Sequence, residues 1–167
     1  MATEKTAQVA VVMGSDSDLN VMESCVAQLR EFGLAPEVRI ISAHRTPRAA
    51  AEFAETAESR GIQVIIAAAG MAAHLAGALA AWTTLPVIGV PLTAEGGPAG
   101  LDALLSTVQM PPGVPVATVA IGKAGAKNAA ILAVQILAVS DAALREKLHQ
   151  FKTKQEQKVR ERDAALS

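Results

Sequence analysis

"QVAVVMGSDSDLNVMESCVAQLREFG", residues 8–33, decides the architecture. An apolar run from Val9 to Met13 ends in Gly14, four small polar residues follow, and a helical segment closes at Gly33. Apolar residues fill consecutive positions of the run, without in–out alternation, as a parallel strand covered on both faces requires. Gly33 stands where a helix C-cap belongs. The unit is therefore a strand, a polar turn and a helix, and its turn, "GSDSD", is too polar to be a mere connection.

The same unit recurs along the chain. Further strands are read in "APEVRIIS" (35–42), "IQVIIAAAG" (62–70), "LPVIGVP" (85–91) and "VPVATVAIG" (114–122). Helices are read in "TPRAAAEFAETAESRG" (46–61), "AAHLAGALAAWT" (72–83), "GLDALLSTVQM" (100–110) and "GAKNAAILAVQILAV" (125–139). Pro47 fits a first helical position and Gly61 a C-cap. Alternating strands and helices predict an α/β protein with an open, doubly wound, five-stranded parallel sheet. No internal repeat or linker divides the chain, so residues 1–167 are expected to form one domain. Its core would span 8–141, and an extra, strongly charged helix 142–165.

Composition removes several function classes. A formal net charge of −1 gives no general attraction to nucleic acid or an anionic membrane. Tyrosine is absent and aromatics are scarce, so platforms for stacking bases are not expected. The apolar stretch from Ile62 to Trp82 is broken by Gly70, His74 and Gly77, and reads as a strand and an Ala-rich helix rather than a membrane span. No secretory leader is read at the N-terminus, and the lone Cys25 excludes an internal disulfide. A soluble, cytoplasmic protein is the expectation.

In doubly wound sheets ligands bind beyond the carboxyl ends of the strands, where strand order reverses. The polar clusters "GSDSD", "SAHRTP", "AGMAAHLAG" and "GKAGAKN" all fall at such ends. Ser15, Asp16, Ser17 and Asp18 open a helix, whose free N–H groups and dipole favour an anion such as phosphate. Asp18 would repel phosphate but suits the hydroxyls of a ribose. Capping by Ser15 and Asp18 accounts for part of this cluster, and magnesium binding by the two aspartates is a weaker reading. In the second cluster Arg45 offers a planar fork for phosphate or carboxylate, and His44 can exchange a proton near neutral pH. His74, at a helix start, could serve as a cap or in packing, and His149 lies in the charged terminal helix. Around Gly70 the small residues allow either close approach of a flat ligand or tight helix–sheet packing. No zinc-ligand spacing and no hydrolase elbow are present. The residues alone describe an enzyme for a small phosphorylated ribosyl anion, with one histidine moving a proton.

The motifs "MGSDSD", "SAHRTP", "AGMAAHLAG", "LPVIGVP", "LDALLSTVQM" and "GVPVATVAIGKAGAKNAAILAVQIL", in order from Val9 to Asp141, resemble the N5-carboxyaminoimidazole ribonucleotide mutases of purine synthesis (class I of the PurE family). The resemblance implies a flavodoxin-like three-layer sandwich, assembled as a homo-octamer with sites between subunits. It implies movement of a carboxylate from the exocyclic N5 to ring carbon C4 without metal, nucleotide or organic cofactor. Carbon dioxide would be released in a closed site and recaptured at C4. His44 maps to the proton shuttle, Ser15, Ser17, Ser42 and Arg45 to the phosphate contacts, and Asp18 to the ribose contact. Ala43 and Asp16 belong to the same substrate-binding turns. Gly70, Met71, Ala72, Ala73, His74 and Leu75 would hold the migrating carboxylate and enclose the gas.

Independent of the resemblance, the helix from Ala126 to Val139 is apolar on more than one face, which suits burial between subunits. Three positions depart from the common family pattern. Leu19 stands where tryptophan is usual in bacterial members, Met71 replaces a glycine and Ala76 a proline. A related branch carboxylates the unmodified ribonucleotide directly; its second turn tends to carry lysine, so Arg45 and "AAHL" favour the mutase branch.

Overall fold

A computed structural model describes residues 7–166. In chain order the elements are β1 (Val9–Met13), α1 (Leu19–Glu31), β2 (Glu37–Ile40), α2 (Pro47–Ala57), β3 (Val64–Gly70), α3 (Leu75–Ala80), β4 (Val87–Leu92), α4 (Leu101–Val108), β5 (Ala117–Thr118), α5 (Gly122–Leu137) and α6 (Ala142–Ala164). All strand pairs are parallel, in the order β2-β1-β3-β4-β5. This is the flavodoxin-like arrangement, and its strand order reverses beside β1. The reading that the chain begins without a leader falls partly on residues 1–6, outside the described residues.

The unbroken apolar character of the central strands follows from two cores, one per face. Val9, Val11 and Met13 of β1 join Val64, Ile66 and Ala68 of β3 beneath α1 and α5. The intervening Ala10, Val12, Ile65 and Ala67 pack with Phe53 of α2 and Leu75 and Leu79 of α3. Neither parity can face water. A fully buried valine or leucine contributes roughly 1.5–3 kcal/mol, so a polar residue at either parity would be costly.

Two strands depart from expectation. β2 is an edge strand, and its Val38 and Ile40 are 40% and 51% exposed instead of covered. β5 holds only two residues rather than the expected nine-residue run, with one further pairing from the Val119 N–H to the Gly89 carbonyl. Pro115 has no N–H to give at its entry, and α5 starts at Gly122, so the run is bounded closely on both sides.

The terminal helix is present and docks only at its start. Asp141 caps it by accepting N–H bonds from Ala143 and Leu144 at 2.8 and 3.0 Å. Leu144 is buried, Phe151 tilts against Phe32 with ring centres 5.3 Å apart, and Lys147 donates to the Phe32 carbonyl at 2.7 Å. From Lys152 onward every described side chain is exposed. No helix among the described residues is long and apolar enough to cross a membrane.

Candidate active site

The first turn leaves β1 at Gly14 and becomes a single 3-10 turn over Asp16–Asp18 before α1. Its capping box is complete. The Ser15 hydroxyl accepts the Ser17 N–H at 3.3 Å, and the Asp18 carboxylate accepts the Ser15 N–H at 3.1 Å. Asp16 stays exposed and folds back on its own loop, accepting from the Ser15 hydroxyl at 3.0 Å and the Ser17 N–H at 3.1 Å. Burial pushes the Asp18 carboxyl above its ordinary value, and the nearby Asp16 charge adds to the rise. Bonds from Ser15, Ser17 and Gly14 oppose it without cancelling it.

The second turn follows β2 and is closed by its own side chains. The Thr46 hydroxyl donates to the Ser42 carbonyl at 2.9 Å and accepts the Ser42 N–H at 3.0 Å. The Ser42 hydroxyl accepts from the backbone N–H of Arg45 at 3.2 Å and from its Nε at 3.4 Å. Arg45 then reaches the first turn, donating from Nη2 to the Gly14 carbonyl at 3.2 Å. These bonds fix a cation beside the serines of the first turn.

The third turn follows β3. Met71 has φ +56°, in the left-handed region that favours glycine. A left-handed residue here bends the chain sharply before α3, so the methionine adopts the backbone that a glycine would supply. His74 sits at the N-cap of α3 but makes no side-chain cap bond. Its Nδ1 lies 2.8 Å from Nε2 of His44, with the rings edge-to-face and their centres 4.9 Å apart.

These turns enclose one cleft of about 620 Å³. Ser15, Ser17, Asp18, Ser42, Ala43, His44, Arg45, Gly70, Met71, Ala72, His74 and Leu75 all line it. Two expected contact residues do not. Asp16 turns onto its own loop, and Ala73 is buried at 2% exposure, because successive residues of a tight turn cannot all face one side.

The last of the four clusters, "GKAGAKN", does not take the place expected of it. It forms the opening of α5 and stays out of the cleft, since β5 is the strand farthest from the point of reversal on that side. The fourth turn takes its place, through Thr93, Ala94 and Glu95. The sequence marks this turn only by a threonine and a glutamate directly after the apolar run of β4.

Cys25 is buried, and burial pushes its thiol up to about 12, which leaves it un-ionised and unreactive near neutral pH. Among the described residues no three His, Cys, Asp or Glu side chains gather closely enough to hold a metal ion.

Fold and cleft together define a flavodoxin-like protein with a polar crevice at the strand-order reversal, of a size and donor set suited to a small phosphorylated ligand. Comparison with known proteins narrows that class. The sequence model of the AIR carboxylase family matches residues 8–158. The N5-carboxyaminoimidazole ribonucleotide mutase of Pyrococcus horikoshii is 54% identical over 158 residues, covering 95% of this chain and 88% of its own. The enzyme of that name from Synechocystis is 52% identical over 164 residues, covering 98% and 92%. Among solved structures, Treponema denticola PurE superposes with a TM-score of 0.86 at 29% identity, covering 95% of this chain and 98% of that one. The chain belongs to the AIR carboxylase family.

Proposed function

We propose that the protein is an N5-carboxyaminoimidazole ribonucleotide mutase, an isomerase of purine synthesis with His44 as its general acid and base. The carbamate carbon–nitrogen bond breaks, N5 keeps the electron pair and takes a proton, and carbon dioxide is freed. Ring carbon C4 then attacks that carbon and gives up its own proton. One imidazole can supply the first proton and take the second, so the sequence closes without net proton or electron transfer.

The observation that supports this reading best is the convergence of His44 and Arg45 with Ser15, Ser17, Asp18 and Ser42 in one cleft. In it the serines and Arg45 take the phosphate and Asp18 the ribose diol. The small residues from Gly70 to Ala72 leave room for a flat imidazole and for carbon dioxide, which must be kept from water until it is recaptured. The names and high identity of the relatives support the mutase over the direct carboxylase.

The protein acts as a homo-octamer in the cytoplasm in this reading. Val38 and Ile40 on β2, Trp82 after α3, and Leu101, Leu105 and Val108 on α4 are apolar and exposed, as surfaces covered by other copies would be. Sedimentation equilibrium should give eight chains per particle; a monomer would refute the assembly.

The test is turnover of freshly prepared N5-carboxyaminoimidazole ribonucleotide, with chelator and without ATP, by the natural enzyme and by His44→Asn. Conversion to the C4-carboxylated isomer by the natural enzyme alone, with ribonucleotide binding retained in the variant, is the expected result. Bicarbonate-dependent carboxylation of the uncarboxylated ribonucleotide would place the protein in the other branch. Near-normal turnover by His44→Asn would remove His44 from the mechanism.

A further inference from the structure

We infer that His74 is a positioning residue for His44: it accepts a hydrogen bond from His44 Nε2 through its Nδ1, fixing the tautomer and ring orientation with which His44 works. The inference rests on the reading of His44 as the proton carrier.

The two rings come from turns on opposite sides of β1. His44 follows β2 and His74 precedes α3 after β3, and β1 lies between those strands. Their 2.8 Å contact therefore spans the crevice where the strand order reverses. His74 is not otherwise engaged. Its backbone forms the N-cap of α3 while its side chain leaves the helix end uncapped and crosses to His44. Among the described residues no other hydrogen bond reaches either ring.

A nitrogen–nitrogen contact of this length needs one donor and one acceptor. With the proton on His44 Nε2, its Nδ1 is left free as the base. When Nδ1 takes a proton, Nε2 still donates to the same acceptor, now from a cation, and the bond strengthens. The opposite assignment, with His74 donating, would break as soon as His44 became charged. Only the first assignment survives the whole proton cycle, so His74 steadies His44 in both of its states.

Stereochemistry provides a sharp test. An asparagine carbonyl oxygen can occupy the place of Nδ1, whereas glutamine reaches the place of Nε2. His74→Ala should lower kcat by about tenfold or more with little change in KM, the loss of one charge-assisted bond. His74→Asn should recover most of that loss and His74→Gln little of it. The chain has three histidines, so 15N-histidine labelling with His149→Gln leaves two rings to assign. The spectrum should show His44 protonated at Nε2 in the natural protein and a tautomer mixture in His74→Ala.

An unchanged His44 tautomer in His74→Ala, or equal kcat losses for the asparagine and glutamine variants, would overturn the inference. A natural enzyme without mutase activity would instead count against the proposed function, and the tautomer measurement would still decide the pairing.

Discussion

Arg45 donates to the Gly14 carbonyl at 3.2 Å and to the Ser42 hydroxyl at 3.4 Å, joining the turn after β2 to the turn after β1. The guanidinium is thereby held in place before any ligand arrives. These two bonds do not exhaust its N–H groups, and the rest can meet an anion in bidentate fashion.

Replacing Arg45 should therefore act on binding more than on chemistry. Arg45→Ala is expected to raise KM by about 10- to 150-fold, the equivalent of roughly 1.5–3 kcal/mol for a charge-assisted bond. Arg45→Lys should recover little, because one ammonium cannot hold Gly14 and Ser42 and also grip a phosphate. Steady-state kinetics decides the matter. A KM within twofold of the natural enzyme would show that Arg45 only ties the two turns together.

Asp18 links function to stability with the opposite sign. Burial raises its carboxyl pKa in the folded protein. A raised folded-state value means that its stabilising contribution is complete below the ordinary carboxylate range and is lost as pH rises through the folded value. At neutral pH the ionised group thus costs the fold something. Asp18→Asn removes that cost and keeps a carbonyl oxygen to accept the Ser15 N–H, now bonded at 3.1 Å. The variant should melt about 1–2 °C above the natural protein at neutral pH, small because solvent screens a half-buried carboxylate. Near pH 4 the gap should close. Ribonucleotide affinity should fall in the same variant, and a melting temperature below the natural protein's at neutral pH would reverse the assignment.

The layered sheet was legible because both parities of β1 and β3 are apolar, a pattern that only a strand covered on two faces needs. Three of the polar turns were legible for a related reason: side chains such as those of Ser15, His44 and Arg45 have no place in a core. What local pattern cannot carry is distance between elements. Nothing in "SAHRTP" or "AAHLAG" says that His44 and His74 meet across β1, since that depends on strand order. The same ignorance let the "GKAGAKN" cluster pass for a site element although β5 stands too far from the crevice, and let Glu95 go unmarked. Val38 and Ile40 looked like core residues because an edge strand and a central one share a composition.

Gly125 offers a test of packing that inverts an ordinary rule. Exchanging glycine for alanine inside a helix normally stabilises by about 1 kcal/mol. Gly125 lies in α5, buried, and an added Cβ would stand 1.5 Å from the Ala120 carbonyl oxygen. That oxygen belongs to backbone and cannot swing aside as a side chain would. Gly125→Ala should cost at least about 2 kcal/mol or yield insoluble protein, as overpacking against rigid neighbours does. A denaturant midpoint equal to or above the natural protein's would show that the entry to α5 is looser than its geometry implies.

Met71 tests whether strain at the cleft is relievable. Its φ of +56° costs a side-chain-bearing residue about 1 kcal/mol or more, and glycine little. With its side chain 64% exposed, the methionine recovers little of that through burial. Met71→Gly should therefore gain about 0.5–1 kcal/mol after the added freedom of the unfolded glycine is subtracted, a rise of roughly 1–3 °C in Tm. Met71→Ala retains the strain and should gain nothing. The comparison between the two variants isolates the backbone, because both discard the side chain. If alanine proved as stabilising as glycine, the gain would come from removing an exposed methionine rather than from relaxing the turn. Where glycine alone stabilises and mutase turnover persists, the left-handed bend itself is what the cleft requires, and the residue that supplies it is free to vary.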